Sequence, residues 1–382
     1  MKKEILNLLL VALILGLTSC KVKQSEPMDS SLASINYGAS RSPGQENVLK
    51  LAMDPISTVR VAFIGVGNRG SAAVRRYTFI DGVEIKALCD LHDDRVKRAQ
   101  KTITDKGFPE AAEYVGEEAW KEVCERDDID LVYICTDWLS HTPIAVYAME
   151  QGKHVAIEVP AATTIDECWM LVDTAEKTRR HCMMLENCCY DFFELTTLNM
   201  AQKGLFGEIV HVEGAYIHDL RSQLDSPNRW RTDFYVDYTG NPYPTHGLGP
   251  ICQVLNIHRG DKMNYLVSVS SGQFGMTAYL NEKFGKDSPR TEEEYLLGDM
   301  NTTVIKTEKG KTIMVQHDVT SPRPYSRLHT LSGTKGFAQK YPDPKIALEP
   351  NSHNFLTSEE QQALLAEHEH PFIKEIGEYA KT

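Results

Sequence analysis

The sequence predicts an α/β chain: a doubly wound parallel sheet at the N-terminal side, then an α+β domain with an open, mainly antiparallel sheet. Three observations carry this. From Val59 onward, buried strand-like runs alternate with amphipathic helical ones, the pattern of a parallel sheet covered on both faces. A glycine-rich turn follows the first strand. After about Lys203 the runs switch to alternating apolar and polar residues, as in strands with one buried face.

Taken in order, "VRVAFIG" is a strand and Ser71 to Tyr77 a helix. "VEIKALCD" is the second strand, and Asp93 to Lys106 a charged amphipathic helix. "DLVYICTD", a helix from Thr142 to Gln151, "HVAIE", a helix from Asp166 to Arg180, and "CMMLEN" continue the alternation. A helix near Phe192 to Lys203 leads into "EIVHVEGAYIHD", "YLVSVSSGQF", "MNTTVIKTE" and "KTIMVQHDV", all alternating strands. Between them, about Arg221 to Pro250 reads as a long loop-rich insertion. The last thirty residues read as helical and polar, without a closing strand. The domain boundaries expected are 58–190 and 191–382.

The first twenty residues differ. Lys2 and Lys3 precede an apolar run from Leu8 to Leu17 and then "LTSC"; this is the pattern of an export signal rather than of structure. Its ending resembles a bacterial lipobox, which implies lipidation of Cys20, here a palmitate-type anchor, and an exported, membrane-anchored lipoprotein. No twin-arginine pair precedes the run, so export before folding is expected. Lys21 to about Ser57, rich in Ser, Pro, Gly and Gln, reads as a tether. No later run is long and apolar enough to span a bilayer. A formal charge of −12 disfavours nucleic-acid binding. The other eight cysteines show no metal-ligand spacing and several sit in strand-like runs, where cysteine acts as a small hydrophobe.

"GVGNRG" places Gly65, Gly67 and Gly70 between a strand and a helix. The first glycine permits the tight turn, the second admits pyrophosphate to the backbone, and the third lets helix pack on strand. Asp90 ends the next strand, twenty residues after Gly70, where a carboxylate binds ribose hydroxyls and repels a 2′-phosphate. The cofactor expected is NAD, in a Rossmann domain. At the end of "HVAIE" come Glu158, Val159 and Pro160.

With these motifs in view, the N-terminal half resembles the glucose–fructose oxidoreductase / inositol dehydrogenase (Gfo/Idh/MocA) family. There the usual signature at this strand end is Glu-Lys-Pro, with the lysine as acid/base; this chain has Glu158-Val159-Pro160. The histidine that usually follows an aspartate by four residues corresponds to His246, which here follows Pro242. "FIGVGNRG", "EVPAATTIDECWMLV", "CMMLENCCY", "RWRT", "YPTHGLGP" and "SPRPYS" resemble a narrower branch, glycosyl hydrolase family 109, NAD-dependent α-N-acetylgalactosaminidases.

That resemblance implies cofactor contacts at Asn68, Arg69, Asp90, Trp138, Leu139, Ser140, His141, Glu158, Val159 and Asn187. It implies substrate contacts at Tyr216, Arg231, Tyr243, Pro244, Thr245, His246 and Tyr325, with N-acetylgalactosamine-terminated glycans as substrate. Three departures stand out. Leu139 and Ser140 follow Trp138 and would act through backbone or shape. The loop between Asp219 and Arg231 is short. The chain stops before the family's closing segment, so truncation at the C-terminus is expected.

An exported dehydrogenase would have little free nicotinamide to recharge it; a redox-neutral cycle removes the difficulty. Oxidation at C3 of an N-acetylhexosamine acidifies the C2 proton, and its removal expels the C1 oxygen. Water then adds at C1, C2 is reprotonated and C3 is reduced, giving net hydrolysis with retention. NAD-dependent glycosidases do not need the usual pair of carboxylates. They need one base near the ring, and His246 is the candidate. Its stretch "GNPYPTHGLGP" reads as a fixed loop, and a capping or surface role is the alternative. Tyr325 and Tyr243 either serve the leaving oxygen or pack as amphipathic tyrosines. Glu158 either fixes a ribose or sugar hydroxyl or is a buried, paired structural acid. No step needs a metal. The other readings are an NAD-dependent sugar dehydrogenase and a non-catalytic sugar-binding lipoprotein.

Overall fold

Residue 41, residues 43–225 and residues 229–377 are described in a computed structural model of the chain. The leader and Cys20 lie outside them. Residues from Glu46 on form one compact unit. Glu46 to Ser57 contains no helix or strand, and Val48 packs on the core of the first sheet.

That sheet is built from β1 (Val59–Ile64), α1 (Asn68–Tyr77), β2 (Val83–Asp90), α2 (Asp93–Thr104), β3 (Ala112–Val115) and α3 (Ala119–Glu125). It continues with β4 (Leu131–Ile134), α4 (Trp138–Glu150), β5 (His154–Ile157), α5 (Ile165–Thr178) and β6 (Cys182–Met184). The strands are parallel in the order β3-β2-β1-β4-β5-β6. The order reverses between β1 and β4, opening a crevice at their carboxyl ends, where such sheets bind ligands. One face buries Ile64, Val132, Ile134 and Ile157 and the other Val61, Phe63 and Leu88, each worth roughly 1.5–3 kcal/mol when removed from water. Thr164 and Glu167 form a reciprocal capping box at the start of α5, satisfying two otherwise orphaned amides.

A 3₁₀ turn (Asn187–Tyr190) leads to α6 (Phe192–Gln202), β7 (Ile209–Ile217), α7 (Arg221–Leu224), α8 (Trp230–Asp237) and α9 (Thr245–Val254). Then come β8 (Met263–Ser270), α10 (Gly275–Phe284), β9 (Asn301–Thr307), β10 (Thr312–Asp318), β11 (Ser326–Gly333), β12 (Gly336–Gln339), β13 (Lys345–Leu348), α11 (Ser358–Glu367) and α12 (Pro371–Ile376). The seven strands run β13-β12-β11-β7-β10-β9-β8; β7 and β10 are parallel and every other pair is antiparallel. No helix among the described residues is long and apolar enough to cross a membrane, and the cysteines there are all free.

The stretch read as a loop-rich insertion holds three helices instead, and His246 stands in the first turn of α9 rather than in a fixed loop. The glycines that suggested a loop serve packing. A Cβ on Gly247 would lie 2.2 Å from the backbone nitrogen of Ala215, and one on Gly214 would lie 2.4 Å from the carbonyl of Gly247. Helix α9 therefore crosses β7 backbone against backbone, an approach only glycine permits.

Candidate active site

The glycine turn fits a dinucleotide. Gly65 has φ +85°, and a Cβ there would sit 2.4 Å from the Cys135 carbonyl; on Gly70 it would sit 1.9 Å from the Gly65 carbonyl. At Gly67 it would meet only the Arg95 guanidinium, at 3.6 Å, so that backbone stays open at the N-terminus of α1 beside Asn68. Buried Asp90 accepts from the Val66 amide at 2.9 Å and the His92 amide at 3.1 Å, with Arg95 at 3.3 Å. It thus fastens the turn as well as marking where a ribose would end.

Three loops at this edge are tied together. Arg69 donates to Glu158 at 3.0 Å and to Asn187 at 3.3 Å, and the Tyr133 hydroxyl donates to Glu158 at 2.5 Å. Glu158 is therefore a buried, paired acid. Asp137 caps α4, accepting from the amides of Leu139 and Ser140. His141 is buried, with Nδ1 2.8 Å from the Pro160 carbonyl; burial pulls its pKa down, so it is neutral and serves the loop. Leu139 is more than half exposed, leaving shape and backbone as its contribution.

Across the crevice the two sheets share an apolar cluster: Trp138 and Val159 from the first, Leu220, Phe234, Tyr235 and Tyr243 from the second. Trp138 stacks on Tyr243 at 5.5 Å. The Arg231 guanidinium lies 5.0 Å from the Trp138 ring, 5.2 Å from Trp230 and 5.8 Å from Tyr243, a cation–π cage that holds its head at the pocket. Val159, only 5 % exposed, belongs to this wall, so no proton carrier stands at that lip.

The proton chemistry gathers opposite. His246 Nδ1 lies 2.7 and 2.9 Å from the two carboxylate oxygens of Glu186. Tyr243 and Tyr216 meet its ring edge-on at 4.9 and 5.3 Å. Burial pushes the Glu186 carboxyl up, but the hydrogen bond and charge of His246 outweigh it and hold the group below the usual range. With Nδ1 committed to Glu186, Nε2 is the nitrogen left to handle a proton. Glu186, Cys188 and His246 bring ligand atoms within 4.8 Å of one another. The distances to Nδ1 are those of a hydrogen-bonded acid–imidazole pair, and burial pushes the Cys188 thiol up to about 12, so the sulfur is a neutral neighbour.

Tyr325, 44 % exposed, lines the mouth with its ring 5.2 Å from His218, which in turn meets Tyr216 at 4.7 Å. Arg231 Nε and His218 Nε2 have no protein partner and suit sugar hydroxyls or an acetamide oxygen. Thr245 and Pro244 open α9 just ahead of His246. The structure thus brings Tyr216, Arg231, Tyr243 and His246 into one cluster of ring contacts, with Tyr325 joined to it through His218. Tyr243 is buried and its phenol is pushed up by that burial, which favours packing over proton transfer. Sequence reasoning missed Glu186 and His218. Each had a local signal: Glu186 stands two residues past β6 and one before Asn187, and His218 directly follows β7, two residues after Tyr216.

Residues 59–186 match the model of the oxidoreductase family with an NAD-binding Rossmann fold, and residues 190–382 that of the glycosyl hydrolase 109 C-terminal domain. An α-N-acetylgalactosaminidase of Bacteroides fragilis is 61 % identical over 344 residues, 88 % of this chain and 81 % of that one. A glycosyl hydrolase family 109 protein of Phocaeicola vulgatus is 54 % identical over 342 residues, 88 % and 83 % of the two chains. Among solved structures, levoglucosan dehydrogenase in complex with NADH superposes with TM-score 0.60 at 19 % identity, over 78 % of both chains; that likeness concerns the fold.

Proposed function

Since the chain belongs to glycosyl hydrolase family 109, we propose that it is an NAD-dependent α-N-acetylgalactosaminidase that releases terminal α-linked N-acetylgalactosamine from glycans, with retention. The observation that carries this reading is the Glu186–His246 pair facing a cofactor crevice whose own lip, Val159, is inert. Gly65, Gly67, Asn68, Arg69, Gly70, Asp90 and the loops tied by Glu158 and Asn187 would hold NAD. When bound, NAD would supply reversible oxidation at C3 of the sugar by taking its hydride, the hydroxyl proton passing to solvent water and coming back from it on reduction; the ketone acidifies the C2 proton.

His246 Nε2 takes that proton, and the adjacent Glu186 carboxylate stabilises the imidazolium. Tyr325 gives a proton to the departing C1 oxygen. Water adds at C1, and His246 returns its proton to C2. Arg231 and His218 orient the sugar, while the apolar wall of Trp138 and Val159 excludes competing water. The proposal extends to location: lipidation of Cys20 would anchor the enzyme to a membrane outside the cytoplasm. Metabolic labelling with a fatty-acid analogue, lost in Cys20→Ala, checks that part.

The decisive assay is hydrolysis of 4-nitrophenyl α-N-acetylgalactosaminide in deuterated water. Nitrophenol release without net NADH, together with deuterium at C2 of the product, is expected. Hydrolysis without deuterium sinks the elimination route, and accumulating NADH would mark a dehydrogenase.

A further inference from the structure

Arg327 lies two residues beyond Tyr325. Its side chain is 6 % exposed and pairs with Asp191 and, at 3.0 Å, with Glu194 on α6. Lys340, just after β12, reaches the same two acids at 3.1 and 2.7 Å. Two cations thus meet two carboxylates, a charge-balanced group two residues from Tyr325 along the chain. Above it, the Arg327 guanidinium lies 5.9 Å from the Tyr325 ring and 5.8 Å from Tyr341, and these two rings meet edge-on at 5.9 Å.

The backbone that follows is unusual. Leu328 and His329 are consecutive non-glycine residues at φ 55° and 52°, and the pairing of β11 with β7 shifts register on either side of Leu328. Such conformations persist where surrounding contacts over-determine them. Here the Leu328 amide donates to Ser326 Oγ at 3.1 Å, and His329 Nε2 lies 2.9 Å from Thr197 Oγ1 on α6. Buried ion pairs alone add little net stability, so the construction calls for another explanation.

We propose that Arg327 is a positioning residue for Tyr325: it holds the phenol ring at the pocket mouth by a cation–π contact and stabilises negative charge developing on its oxygen. The proposal rests on the donor role given to Tyr325 above. As the C1–O bond breaks, its electron pair stays on oxygen, which takes the Tyr325 proton and leaves as an alcohol. The phenolate is reprotonated by the water whose oxygen adds at C1. The groups facing Tyr325 are Arg327 on β11, Cys188 on the 3₁₀ turn, Tyr341, Tyr216 on β7 and His218 just after that strand. Burial drives the phenol up; Arg327 is the cation that draws it back, against Cys188, Tyr341 and Tyr216.

The test compares wild type with Arg327→Lys and with the charge-balanced double variant Arg327→Met/Glu194→Gln, which avoids leaving Glu194 buried without its guanidinium. Substrates are aryl and alkyl α-N-acetylgalactosaminides of graded leaving-group acidity. In the double variant we expect kcat to fall about 10- to 100-fold for alkyl leaving groups and little for dinitrophenyl, which departs without a proton. The ¹³Cζ chemical shift of Tyr325, read at neutral pH, should move as the cation leaves the ring face. An equal loss on all substrates, or an unmoved Tyr325 shift, overturns the proposal. If Tyr325→Phe itself shows no leaving-group dependence, the donor role fails, and the ¹³C shift alone then decides whether Arg327 holds this ring.

Discussion

Two glutamates stand at the ends of neighbouring strands, equally buried and differently employed. Glu158, after β5, is consumed by Arg69 and Tyr133; Glu186, after β6, faces the imidazole of His246. Burial is 6 % and 5 % exposed respectively, so desolvation does not separate them. The partner does. A carboxylate locked to an arginine fastens loops, whereas one locked to an imidazole sets its tautomer and stabilises its charged form. The same residue type at the same edge of one sheet thus takes two different partners, a guanidinium with a phenol in one case and an imidazole in the other.

His246→Ala breaks the working side most severely. We expect kcat to fall about 10²–10⁴-fold, the usual contribution of a general base, with a lowered Tm because Glu186 is left buried without its partner; steady-state kinetics at a temperature where both proteins are folded, beside a melting curve, checks it. Glu186→Gln comes next, at about 10²-fold in kcat, the cost of a misplaced base, with little change in NAD affinity. Glu158→Gln should invert that pattern: NAD binding weakens about tenfold, as when a charge-assisted hydrogen bond of roughly 1.5 kcal/mol is lost, while kcat at saturating NAD stays within a fewfold. Equal effects of the two variants on NAD affinity would erase the distinction.

The smallest effect is on stability against pH. The Glu186 carboxyl is held below its ordinary value in the folded chain, so its contribution is present above the unfolded-state pKa, near 4.5, and is lost as pH falls through the folded value. The wild-type advantage in Tm over Glu186→Gln should therefore shrink on acidification below about pH 4.5. A constant difference would mean that the pair adds no linkage.

Much of the first sheet was legible, because glycine turns, strand–helix alternation and Asp90 are local patterns. Arg231, Tyr216, His246 and Tyr325 were placed by resemblance, and the structure links them through ring contacts with Tyr243 and His218. What escaped was non-local. Glu186 and His246 are sixty residues apart in sequence, and no spacing announces the pair. Helix α9 was misread because Gly247 and Gly249, with Pro250, look like loop residues, although Gly247 serves a close crossing. Strand β11 hid for a related reason: its register shifts and two left-handed residues break the alternation by which a strand is recognised.

The contact between Gly214 and Gly247 has a consequence for how substrate range changes. It pins the base-bearing helix to the sheet through main-chain atoms, which no side-chain substitution elsewhere removes. Arg231, by contrast, stands on α8, a separate short helix. Variation in α8 can therefore retune which hexosamine is accepted while the imidazole keeps its place. Selection for new glycans, natural or in the laboratory, has in α8 a region that does not share the glycine crossing under His246.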